Sequence, residues 1–190
     1  MLDWEILTRS LRYLRRKVAI ICPSRGNYDA EAEEAQGLAS AIHGHPMISE
    51  FSSLGCTFEN FGPLCSALVT LPSLGSVILG LREPETEDQL GLVNLEPLTM
   101  LLRAPALRLV EFNKYCFTNA LCHATANALE EGSSVTDLTF ETECSFPDGG
   151  IAIIANALKR NASVTDVEFS GDNDEAFCNT LAAVLLCNST

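Results

Sequence analysis

The sequence predicts an α/β stack of strand–helix repeats, with parallel strands lining one face and helices the other. Three observations predict it. An apolar-x-x-apolar-x-apolar pattern recurs along the chain, a second apolar landmark keeps step with it, and two stretches are near copies. The copies are SSVTDLTF (133–140) and ASVTDVEF (162–169). Each follows a helix-like stretch, ATANALEEG (124–132) and AIIANALKRN (152–161).

At the N-terminus, LTRSLRYLRRK (7–17) alternates apolar and basic residues. Two readings fit it: a helix that binds a membrane surface or a partner, or the helix of a degraded first repeat with its basic side in water. The second is favoured, because VAIIC (18–22) follows directly and Val18 precedes Ile48 by a repeat-like interval. The strand pattern then begins imperfectly at Ile48/Phe51, with Ser53 where an apolar residue belongs. It continues as Leu74/Val77/Leu79, Leu107/Val110/Phe112, Val135/Leu138/Phe140 and Val164/Val167/Phe169. The starts thus fall at Ile48, Leu74, Leu107, Val135 and Val164. The longest interval, from Leu74 to Leu107, contains an acidic insertion, REPETEDQLG (82–91). Six places before each start stands an apolar residue that closes the preceding helix: Ile42, Leu68, Leu101, Leu129 and Leu158, with Leu185 continuing the series.

Elementary geometry accounts for both landmarks. Alternate strand residues share a side, so the last two apolar positions of each pattern face one core. A helix buries a stripe at i, i+3, i+4 and i+7, as Ile151, Ile154, Ala157 and Leu158 do. One strand–helix unit cannot cover its own apolar face, whereas stacked neighbours cover one another. Asp148, ahead of Gly149 and Gly150, is the expected N-cap of one helix, and Asp172, Asn173 and Asp174 of the next. Helix ends are expected near Gly132, Asn161 and Asn188.

These residues resemble the ribonuclease-inhibitor-like class of leucine-rich repeats, whose units run about 28 to 29 residues and pair a strand with a true α-helix. GGIAIIANALKRNASVTDVEF (149–169) carries the resemblance best, and the likeness extends over roughly 18–190. It implies a leucine-rich-repeat solenoid, a horseshoe segment with parallel strands on the concave face and helices on the convex face. The family places Asn or Cys shortly after each strand. Only Cys56 stands there, whereas Cys116 and Cys144 come one position late, so irregular turns are expected. The organisation expected is a basic helix or degraded repeat at 1–17, then an array of about five repeats at 18–190. CNST (187–190) aligns with RNAS (160–163), which stands just before a strand. The C-terminus is therefore expected to lack a cap, either as a fragment of a longer chain or with a terminal helix (about 174–187) exposing an apolar edge.

The net charge of -13, from 25 acidic and 12 basic residues, repels phosphate backbones and argues against nucleic-acid binding. It favours a protein partner with a basic surface. Among the eight cysteines there is no CxxC pair, and most lie in apolar stretches, so a reduced, cytoplasmic setting is expected. Asp3, Glu5, Arg9 and Arg12 interrupt the stretch from Met1 to Leu14, which removes the apolar core a signal peptide needs. The run 18–22 is too short to span a bilayer, and membrane association is not expected.

The resemblance implies protein recognition through the inner face and adjacent loops. The inner positions are Ser49, Glu50 and Ser52; Gly75, Ser76 and Ile78; Arg108, Leu109 and Glu111; Thr136, Asp137 and Thr139; and Thr165, Asp166 and Glu168. Glu111, Asp137, Asp166 and Glu168 form an expected acidic strip, extended by Glu141, Glu143, Asp172 and Asp174. It reads either as a solvated face or as a guide for a basic protein segment. No GxSxG and no phosphate loop occurs, and no cofactor or catalytic residue is expected. A GTPase-activating role, known in this family, would need a loop arginine, for which Arg82 and Arg108 are the nearby candidates. His43 and His45 suggest a metal only weakly, since a helix-to-strand turn explains HGH. Cys122 and His123 are sequence neighbours that face different directions on a helix, which does not suit a nucleophile–base pair. Asn161 and Asn188 head N-x-S/T sequons at equivalent repeat positions, which repetition alone explains.

Overall fold

The computed structural model describes residues 21–22, 36–56, 58–81, 94–141, 144–169 and 182. Among the described residues there are six strands: β1 (Ile21–Cys22), β2 (Glu50–Cys56), β3 (Ser76–Leu81), β4 (Leu109–Phe112), β5 (Asp137–Phe140) and β6 (Asp166–Phe169). They form one sheet in chain order, each parallel to the next. Parallel neighbours need a crossover, and helices supply it. Residues 36–42 are helical before β2. Then come α1 (Phe58–Val69), α2 (Glu96–Leu102), α3 (Asn119–Glu130) and α4 (Gly150–Arg160), each between successive strands. A sequential parallel sheet with one helix per strand fits a leucine-rich-repeat type of fold.

Both sequence landmarks lie in the core. Ile42, Leu68, Leu101 and Leu129 are buried, as are Ile48, Leu74, Leu107 and Val135. The latter four precede their strands, so the first apolar residue of each pattern anchors the turn and the next two point inward from the strand. Burial alternates along β4 and β5, with Val110, Phe112, Leu138 and Phe140 on the core side. The register brings Leu79, Phe112, Phe140 and Phe169 side by side. Phe112 and Phe140 stack with centroids 5.4 Å apart, and Phe140 and Phe169 at 4.7 Å. Phe117 stacks on Phe146 at 4.6 Å, repeating the contact behind the strands, and the fully buried Tyr115 meets Phe112 edge-on at 4.8 Å.

Side chains from helix-to-strand turns reach back to the repeat before. Ser133 Oγ donates to the Leu102 carbonyl at 2.7 Å, capping the end of α2 from the next repeat. Asn161 Nδ2 donates to the Leu129 carbonyl at 2.6 Å, while its Oδ1 accepts from the Ser163 and Val164 amides at 2.9 and 2.6 Å. Ser73 Oγ donates to the Pro46 carbonyl at 2.8 Å in the same way. Ion pairs Arg103–Glu131 and Arg160–Glu130 link the ends of successive helices. They are part-exposed and contribute little beside the buried contacts.

Three expectations meet a different local structure. Asp148 is not the cap of α4: Gly149 holds that position at φ 77°, with no side-chain cap bond, and Asp148 is exposed. The left-handed conformation suits glycine, and the Gly150 amide closes the turn on the Pro147 carbonyl at 2.8 Å. Irregularity falls elsewhere than expected: the register shift against β3 lies between Ser53 and Cys56, in the repeat whose Cys stands at the family position. The late position of Cys144, however, does not leave its turn loose. Its Sγ donates to the Phe112 carbonyl of the preceding repeat at 3.1 Å, and Cys116 pairs with Ser145 in a further parallel bridge. The expectations for 1–17, the 82–91 insertion, Arg82, Leu185, the caps at 172–174 and Asn188 lie outside the described residues. Of the terminal helix only residue 182 is described, as helical.

Replacing Leu138 with Ala removes a buried side chain from the middle of the stack and should cost about 2–5 kcal/mol. Urea unfolding followed by circular dichroism checks this, and an unchanged midpoint contradicts the register. Asn161→Ala leaves the Leu129 carbonyl and two turn amides without their partner. It should destabilise by about 1–3 kcal/mol in the same measurement, whereas Ala162→Ser, at an exposed neighbour, should leave the midpoint in place.

Candidate partner-binding face

The strand positions that do not face the core form two rows across the sheet. One runs Glu50, Ser76, Leu109, Asp137, Asp166, and the other Ser52, Ile78, Glu111, Thr139, Glu168. A further line at the N-terminal ends of the strands follows the backbone. The Gly75, Arg108, Thr136 and Thr165 amides donate in turn to the carbonyls of Ser49, Gly75, Arg108 and Thr136 at 2.8–2.9 Å. Thr165, Asp166 and Glu168 are exposed, while Glu111, Thr136, Asp137 and Thr139 are half-buried.

The four acidic residues of the expected strip therefore lie in two rows. Asp137 sits directly beside Asp166, whereas Thr139 separates Glu111 from Glu168. Strands stand about 4.8 Å apart, and like charges directly opposite one another destabilise a sheet. Local donors offset this in part: Thr136 Oγ1 donates to Asp137 Oδ2 at 2.6 Å and Asn113 Nδ2 to Glu111 Oε1 at 3.2 Å. Neither row contains a Lys or Arg. Arg108, at the edge, donates from one guanidinium nitrogen to the Pro105, Leu107 and Ser134 carbonyls at 2.9, 3.1 and 3.1 Å. Its charge is bound into the turn. Among the loop acids, Glu141 is half-buried and its amide donates to the Phe112 carbonyl at 2.8 Å; Glu143, Asp172 and Asp174 lie outside the described residues.

The remaining sequence candidates take structural positions. His45 is buried in the helix-to-strand turn, where its Nδ1 accepts the Met47 amide at 3.2 Å, and His43 is exposed. Gly44 adopts φ 64° and its amide donates to Thr70 Oγ1, as a turn requires. No group of three His, Cys, Asp or Glu side chains that could hold a metal occurs among the described residues. Cys122 is buried in α3 where α4 begins, so close that a Cβ on Gly150 would stand 2.9 Å from its Sγ; His123 is exposed. Asn161 Nδ2, the atom a glycan would occupy, is the donor to Leu129. No described helix is long and apolar enough to cross a membrane.

The thiols of Cys122 and Cys144 are pushed up to about 11, mainly by burial. Only the thiolate is nucleophilic, so both are inert near neutrality. Alkylation by iodoacetamide at pH 8 should be slow at these two sites in the folded protein and fast in urea. The folded value lies above the ordinary 9.0, so the unfolded chain releases these protons first. Stability should therefore fall as pH rises from 9 toward 11, read as a decreasing urea midpoint that Cys122→Ala and Cys144→Ala partly flatten.

No protein-family model matches the chain, and no curated protein matches it. Among solved structures it is similar to a Caenorhabditis elegans tropomodulin C-terminal domain. That match has a TM-score of 0.48 at 16% identity and covers 98% of this chain and 93% of the other. It is also similar to a structure of leiomodin-1 actin-binding site 2, at TM-score 0.47 and 12% identity, covering 97% of this chain and 86% of that one. Neither likeness assigns a partner to this protein.

Proposed function

We propose that the chain is a cytoplasmic leucine-rich-repeat scaffold of the ribonuclease-inhibitor-like class. In this reading the array is a segment of a curved solenoid, catalyses no reaction and holds another protein on its concave strand face. The observation that carries the reading is the division of labour in the sheet. One side is spent on the core, and the other keeps Glu111, Asp137, Thr139, Asp166 and Glu168 in register, with Thr136 and Thr165 at the N-terminal ends of β5 and β6. Rigid strands thereby present polar groups at fixed spacing, which suits recognition of a partner surface. The acidic excess at β5 and β6 favours a basic partner segment by steering its approach and setting its register. A GTPase-activating role gains nothing from Arg108, whose guanidinium serves the turn.

The test compares binding of a Lys/Arg-rich peptide to the wild type and to Asp137→Lys/Asp166→Lys, at low and high salt, with circular dichroism confirming that both fold. The wild type should bind, weaken as salt rises, and exceed the variant by roughly tenfold or more. Equal affinities, unmoved by salt, contradict the acidic strip.

A further inference from the structure

The two outward rows are polar at eight of ten positions, and the two exceptions are neighbours. Leu109 stands between Ser76 and Asp137 in one row, and Ile78 between Ser52 and Glu111 in the other. Both are half-buried large aliphatic side chains. They lie on the side opposite Val77, Leu79, Val110 and Phe112, and neither joins the core cluster those residues form. The pairing of Ser76 with Leu109 and of Ile78 with Glu111 makes them diagonal neighbours on β3 and β4, roughly 7–8 Å apart. The core does not require an aliphatic residue at either site, and the equivalent positions on β2, β5 and β6 are Ser, Thr or acidic.

The acids are denser on one side of this pair: β5 and β6 carry Asp137, Asp166 and Glu168, whereas β2 carries Glu50 beside Ser52. Asp137 lies one strand away from Leu109, and Asp166 and Glu168 two strands away, about 10 Å across the sheet. We propose that the face takes a protein segment in which a large apolar side chain is followed, about 10 Å further on, by two or more Lys or Arg residues. Ile78 and Leu109 receive the apolar group, and Asp137, Asp166 and Glu168 the cations. This rests on the strand-face reading above and adds the polarity of the partner. The division follows from what each contact supplies: exposed ion pairs steer and orient but contribute little affinity, whereas a desolvated apolar anchor supplies most of it. A second copy meeting the first through the same rows would bring no Lys or Arg to the acids, so the charge of this surface favours a different, basic partner.

The probe is a library of short random peptides displayed on phage, panned on the intact chain, followed by affinity measurements on the synthesised consensus peptide. The expected consensus has one large apolar residue and a cluster of Lys or Arg offset from it. Ile78→Thr and Leu109→Thr keep strand-favouring side chains and should weaken that peptide about tenfold or more, with the thermal midpoint as the check on folding. Asp137→Lys/Asp166→Lys should weaken it too, and selectively at low salt. A basic consensus with no apolar position, or one unaffected by both Thr variants, overturns the anchor while leaving the acidic face standing. Failure to enrich any peptide above background overturns both.

Discussion

Each strand–helix unit of this chain carries an apolar face that its own residues cannot cover, and the neighbouring unit covers it only if the two lie in matched register. That requirement governs the rest of the structure. It places Leu79, Phe112, Phe140 and Phe169 in one layer behind the sheet. It lets a carbonyl at one helix end find its donor in the following repeat, as Leu102 does in Ser133 and Leu129 in Asn161. It also aligns the outward residues into rows. A one-residue slip would turn every strand side chain to the other face, exchanging Leu138 for Asp137 or Thr139 in the core.

The recurring pattern is legible because two landmarks repeat independently. The strand positions and the residue six places earlier are dictated by burial, and burial restricts residue type strongly. The turns are harder to read, because a turn can be closed by several side chains from slightly different places. Cys144 reaches the Phe112 carbonyl from one position beyond the family pattern. Gly149 begins α4 through backbone conformation where Asp148 offers a conventional cap. Asn161 reads as a sequon or a simple repeat feature, yet its carboxamide ties two repeats together. Its recurrence beside the helix end is the available signal.

The outward face is legible as a set of residues but not as an arrangement. Counting x positions gives Glu111, Asp137, Asp166 and Glu168, whereas the strand register separates them into two rows with Thr139 between two of the glutamates. Such a face contributes little to folding, and the adjacent Asp137 and Asp166 oppose it. Stability alone does not account for that pair, which is why the strand face carries the functional reading.

The most direct test of the stacked register is a nuclear Overhauser measurement on protein labelled at its phenylalanine rings, with single Phe→Leu variants assigning the signals. The account predicts that Phe140 shows cross-peaks to both Phe112 and Phe169, whose ring centroids lie 5.4 and 4.7 Å away, while Phe112 and Phe169 show none to each other. Phe140 in contact with neither ring, or Phe112 in direct contact with Phe169, would contradict it.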